Sequence, residues 1–206
     1  DAATNGGYTA GTTHTFSHTT GSGSNRFLFV GANTIDDTIT GITYNSVAMT
    51  LVAKTADQAN IGVQVLYYLA NPSSGANNVV ITSSVSVTIQ GGAVSYTGVA
   101  QVVPENNTTG IQSTDSTSIT KSITTIANNA WTIIVVQNAG NTTAGAGSVL
   151  RCSGSGLGYA ILDSGSAITP AGSYSMTVNG NNGKWNWVLA SFAPPVATNL
   201  SQVMII

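Results

Sequence analysis

The chain has 206 residues, 5 Lys and Arg against 7 Asp and Glu, and a net charge of −2. Only 6% of its residues are charged, where about 25% is usual. Arg26, Lys54, Lys121, Arg151 and Lys184 stand singly, which excludes the clustered cations that nucleic acid or an anionic membrane surface would need.

Solubility must instead come from 29 Thr, 23 Ser, 23 Gly and 19 Asn. Thr favours strands, while Ser, Gly and Asn favour turns. Hydrophobic residues make up 42%, enough for a core. No apolar run approaches the roughly 18 residues of a membrane span, so no membrane insertion is expected. The start at Asp1 rather than Met reads as a processed N-terminus of an exported chain.

Strand signals follow one another at short spacing. Residues 12–19 alternate. Residues 26–32 (RFLFVGA) form an apolar run buried on both faces. Residues 39–44 and 48–53 flank Asn45-Ser46, a hairpin turn. Residues 61–69 place Ile61, Val63, Val65, Tyr67 and Leu69 on one face, and Asn71-Pro72 ends that strand. Shorter strands are expected at 78–82, 85–89 and 93–96, with Gly91-Gly92 marking a bulge or bend.

Residues 103–115 (VPENNTTGIQSTD) read as a long polar loop and 116–123 as a strand. Residues 130–137 (AWTIIVVQ) are a core strand, followed by a loop at 138–147. Weaker strands lie at 149–151 and 158–163. Residues 173–178 alternate, 179–183 read as a turn, and 185–192 form the last strong strand before Pro194-Pro195. No segment has helical spacing. The expectation is an all-β, antiparallel, jelly-roll-like β-sandwich of about a dozen short strands, with essentially no helix. It would span residues 12–193. Residues 1–11 form an N-terminal extension, and 194–206 a linker and apolar tail. The tail ends in Val203, Met204, Ile205 and Ile206, which either close the chain's own sheet or add a strand to another subunit.

The chemistry-bearing residues are sparse. His14 and His18 lie on one strand face about 13 Å apart along the backbone, too far to share a metal, and read as a solvated face. Of the acids, only Asp36 and Asp37 are neighbours. With Asn33 and loop carbonyls they are the candidates for a structural calcium, the one cofactor considered. No carboxylate pair, nucleophile elbow or phosphate loop is marked, so no enzyme is expected. Trp131, Trp185 and Trp187 could stack sugar rings of a glycan ligand, or belong to the core. Asn106, Asn107, Asn141 and Asn199 head glycosylation sequons. Cys152, the single cysteine, permits no internal disulfide and reads as a small buried hydrophobe.

The stretches FSHTTGSGSNRFLFVGA (16–32), ITGITYNSVAMTLVA (39–53), VLYYLANPSSGANNVVIT (65–82), GAVSYTGV (92–99) and DSGSAITPAGSYSMTV (163–178) resemble uncharacterised jelly-roll or immunoglobulin-like β-sandwich modules. Such modules occur in bacterial secreted and surface proteins and in phage structural proteins. The resemblance covers residues 12–193 and contains no catalytic motif. It implies an extracellular, cell-surface or virion-surface location. Two functions fit these observations. One is a structural subunit that self-assembles by strand addition. The other is a carbohydrate-binding or adhesive module.

Overall fold

The computed structural model describes residues 2–57, 62–138, 140–154 and 158–196. Ile61, Asn199 and the apolar residues Val203, Met204, Ile205 and Ile206 lie outside them. Among the described residues there is no helix, and hence none long and apolar enough to cross a membrane.

The strands, in chain order, are β1 (Ala2–Thr20), β2 (Phe27–Thr34), β3 (Ile39–Tyr44), β4 (Val47–Ala48), β5 (Thr50–Lys54), β6 (Val63–Ala70) and β7 (Gly75–Tyr96) in the first half. The second half supplies β8 (Asn106–Thr124), β9 (Trp131–Asn138), β10 (Thr143–Ala144), β11 (Val149–Ser153), β12 (Tyr159–Asp163) and β13 (Ser173–Phe192). They form two antiparallel sheets, a β-sandwich as the alternation predicts.

Four strands are much longer than expected, at 19, 22, 19 and 20 residues for β1, β7, β8 and β13. Residues 2–11, set apart in sequence as an extension, are the first part of β1. The polar stretch from Asn106 onward is strand, not loop, and pairs with β13 from Asn106↔Ser191. The turn expected at 179–183 is a run of bulges inside β13. Gly91-Gly92 does not interrupt β7, which pairs with β2 straight through Gly31↔Gly92 and Ala32↔Gly91. Those glycines serve close approach instead. A Cβ on Gly91 would lie 2.6 Å from Ile81 Cδ1, and one on Gly92 would lie 2.8 Å from the Thr4 carbonyl oxygen. The Asn45-Ser46 hairpin is as expected: φ is 48° and 64°, the positive pair a tight two-residue turn requires.

Each sheet is built from one half of the chain, and the two halves repeat one topology. In the first, β7 pairs with β1, β2 and β3, β2 with β6, and β6 with β5. In the second, β13 pairs with β8, β9 and β10, β9 with β12, and β12 with β11. The registers match as well. Phe27↔Tyr96 corresponds to Trp131↔Phe192, and His14↔Ile81 to Ile119↔Val178. Asn25 and Asn129, just before β2 and β9, share φ near +55° (53° and 60°). The sheets stack in opposite order, so the long edge strand of each lies over the short edge strand of the other, β1 over β11 and β8 over β5.

Three cores result. The central one joins the sheets through Phe27, Phe29, Leu66, Val94, Ile133, Val135, Ile161 and Val188. The outer face of each sheet closes on itself because the long strands curl. Leu28, Val30 and Val65 thereby meet Ile42, Val79 and Ile81 in the first half. Ile134, Val136 and Leu162 meet Ile119, Met176 and Trp185 in the second. Two apolar faces per sheet explain why β2, β9 and β12 read as continuous hydrophobic runs.

Candidate functional site

Strand alternation turns Asn33, Gln64 and Gln90 toward the central core, on the same faces as Phe29, Leu66 and Val94. They are cross-strand neighbours, since Asn33 pairs with both Gln64 and Gln90. The second sheet places Gln137, Asn186 and Tyr159 in the equivalent row. One end of the central interface is therefore a buried amide layer. Asn186 Nδ2 reaches across the sheets to the Gly62 carbonyl at 2.9 Å and to Gln137 Oε1 at 3.0 Å. Tyr159 donates its hydroxyl to the Gly31 carbonyl at 3.0 Å. Gln64 Nε2 donates to the Ala32 carbonyl at 2.8 Å. Both amide atoms of Asn33 and Gln64 Oε1 are buried without a hydrogen-bond partner.

The opposite end carries the aromatic and charged groups. Tyr96 donates to Asp163 Oδ2 at 2.7 Å, Arg151 Nε donates to the same oxygen at 2.5 Å, and the Gly165 N–H reaches Oδ1 at 2.9 Å. Asp163 is fully buried, yet satisfied, as a buried carboxylate must be. Burial pushes the Tyr96 phenol well up, and the Asp163 charge pushes it further. Burial opposes the Arg151 cation, but its bond to Asp163 leaves it above its ordinary value. The bond from Tyr96 to Asp163 ties one sheet to the other. Beside this group, Tyr96, Val99, Trp131, Phe192 and Pro194 line a cleft of about 90 Å³.

A third polar group sits under β1. His18 Nδ1 lies 2.9 Å from Thr4 Oγ1 and its Nε2 3.0 Å from Ser95 Oγ. Burial lowers His18 to about 4 and lowers His14 as well. The solvated face expected for the two histidines is thus corrected: both are buried against β7, because β1 curls over the first sheet's own core. A Ser next to a His invites comparison with a nucleophile and its base. Here both are at most 2% exposed, the third partner is a threonine hydroxyl, and the three side chains link β1 to β7.

The sequence-marked residues are dispersed. Trp185 is fully buried in the second sheet's outer core, donating Nε1 to the Ser116 carbonyl at 2.9 Å. Trp187 shares that core, with Lys121 Nζ over its ring at 3.9 Å. Trp131, half-buried, packs on Tyr96 at the cleft. The three indoles do not form one surface. Asp37 pairs with Lys54 and its N–H reaches Asp57. Asp36 is exposed, and Asn33 points away from both into the amide layer. Among the described residues, no three His, Cys, Asp or Glu lie together as a metal site. Asn106 donates to the Thr124 carbonyl, while Asn107 and Asn141 are exposed. Cys152 is buried and its thiol is pushed up to about 12, where it is unreactive.

Sequence reasoning missed the amide layer, the Thr4–His18–Ser95 bridge and the long edge of β1 that no other described strand covers. The available signal for the first was an Asn or Gln inside an apolar strand, at Asn33, Gln64 and Asn186. The edge carried a clearer one: residues 2–20 contain no Asp, Glu, Lys or Arg.

No family model matches the chain, and no curated protein matches it. Among solved structures, the PBSX exported protein XepA overlaps it at TM-score 0.31 and 8% identity, covering 92% of this chain and 86% of that one. The major capsid protein P2 from bacteriophage PM2 does so at 0.26 and 6%, covering 96% and 97%. An anti-sigma factor domain-containing protein from Clostridium clariflavum does so at 0.26 and 7%, covering 88% and 82%. Overlaps of this size assign neither family nor function.

Proposed function

We propose that this chain is a non-catalytic structural subunit of an extracellular or virion-surface assembly, joined to neighbouring copies by strand addition. The observation that carries this reading is the free edge of β1. Among the described residues β1 pairs only with β7, leaving the other edge of a 19-residue strand open. Proteins normally guard such an edge with charge, proline or shortness. The other edges here are guarded: β5 carries Lys54, β11 carries Arg151, β8 carries Asp115 and Lys121, and β4 and β10 have two residues each. β1 has neither charge nor proline, and its only irregularities are bulges after Asn5 and Gly11. Its regular stretch from Thr13 to Thr20 presents Thr13, Thr15, Ser17 and Thr19 outward, a surface that a second uncharged strand can join without desolvating an ion.

Thr15→Lys with Thr19→Lys places two cations on exposed positions of that edge. The parent chain should show assemblies larger than one chain by sedimentation velocity and electron microscopy, and the double variant should remain a folded monomer. Assemblies that persist in the variant, or a parent that is monomeric at every concentration, would remove this reading.

A further inference from the structure

A second cleft opens where the start of β1 meets β11. It holds about 170 Å³ and is lined by Ala2, Ala3, Val94, Tyr96, Leu150 and Arg151. A cavity of about 150 Å³ admits benzene, so this one takes a compact body of that size. Four of the six lining side chains are aliphatic, and Arg151 is the one charged residue among them.

The way Arg151 is held decides what the cleft can bind. Its Nε donates to Asp163 Oδ2, and Asp163 also accepts from the Tyr96 hydroxyl and the Gly165 N–H. A guanidinium carries five N–H donors in one plane. One is used on Asp163, and no described residue accepts from the four on Nη1 and Nη2. The Asp163 side chain is 0% exposed and that of Arg151 28% exposed. The carboxylate is therefore satisfied from behind, and the accessible side of the pair is a row of N–H donors without acceptors. Such a row matches the two oxygens of a carboxylate. The cleft has no second cation for a phosphate dianion, and its aliphatic walls offer nothing to the hydroxyls of a sugar.

We infer that this cleft binds a small monocarboxylic acid, its carboxylate on Arg151 Nη1 and Nη2 and its apolar body against Ala2, Ala3, Val94 and Leu150. The site is separate from the outer edge of β1 and does not depend on strand addition.

Benzoate titrated into the full-length chain, followed by amide chemical shifts, should move Ala3, Leu150 and Arg151 saturably with one site per chain. Acetate keeps the carboxylate without the body, and benzamide keeps the body without the charge. Each should bind at least tenfold more weakly than benzoate. Glutamate blocked at both ends, which puts the carboxylate on a polar body, should also bind at least tenfold more weakly. If it binds as tightly as benzoate, the occupant is an acidic side chain of another protein and the small-acid assignment fails. Arg151→Lys keeps a cation beside Asp163 but loses the planar fork, and should weaken benzoate at least tenfold. Should that change disturb the fold around Asp163, Ala3→Trp crowds the cleft from an exposed position and should weaken benzoate to the same extent with the remaining shifts unchanged. Thr15→Lys with Thr19→Lys should leave benzoate binding as it is, so failure of the β1 edge reading and failure of this site are told apart. No saturable shift at the three amides, acetate or benzamide as tight as benzoate, or full binding in Ala3→Trp overturns the inference.

Discussion

The two halves of the molecule share strand order and register, yet they anchor their long edge strands by different chemistry. On β8, Ile119 and Ile123 point into an apolar core with Met176, Val178 and Trp185. The equivalent positions on β1 are His14 and His18, held by single hydrogen bonds to Thr9, Thr4 and Ser95. β8 carries charge of both signs and β1 carries none. The same topology therefore supports one edge strand sealed by burial and guarded by charge, and one held by polar contacts and left open. The difference teaches that side chains, and not the backbone, distinguish the two edges, since each long strand pairs on one side only among the described residues.

The largest expected effect lies in the sealed half. Trp185→Ala should cost about 3–5 kcal/mol in denaturant unfolding, because it empties the core that holds β8. A loss below about 1 kcal/mol would mean that this core does not anchor β8.

Acid should act on the other half. The His18 value in the folded chain, about 4, lies below the ordinary 6.5. The unfolded chain therefore takes up the proton first, and stability is fully present above about pH 6.5. It should fall as pH drops toward 4, by at most about 3 kcal/mol, and then level off as far as this group is concerned. His18→Gln should flatten that part of the pH profile, with His14, lowered in the same direction, leaving a smaller slope. The second half has no histidine, so no imidazole there adds to this window.

Smaller effects should separate packing from decoration on β8. Lys121→Ala removes the cation over Trp187 and should cost about 0.5–1 kcal/mol. The exposed hydroxyl pairs Thr120–Thr177 at 2.9 Å and Ser122–Ser175 at 2.8 Å should matter least. Ser122→Ala should change stability by no more than about 0.5 kcal/mol.

The architecture was legible in the sequence where local chemistry and global fold agree. Alternation at residues 173–178, the apolar runs at 26–32 and 130–137, and the Asn45-Ser46 turn all signalled the structures they form. The long strands were not legible. Stretches such as 179–183 (NGNNG) and 103–110 (VPENNTTG) carry turn-forming residues, while the structure absorbs the first as bulges within β13 and pairs most of the second with that strand. The internal repeat was hidden because it conserves pairing rather than residue type, with His18 standing where Ile123 does and Phe27 where Trp131 does. Of the candidate sites, the Trp residues were placed on strands correctly. Burial separates them, and alternation alone cannot say which face of a curled sheet is inside. The amide layer draws its members from β2, β6, β7, β9 and β13, and no single segment announces it.

Hydrogen exchange on the full-length chain, compared between dilute and concentrated solution, tests the assembly claim most directly. The account predicts that amides of residues 13–20 along the free edge of β1 gain protection with concentration, while those along β8 do not change. Equal exchange of β1 at both concentrations, alongside a mass that grows through another surface, would contradict it.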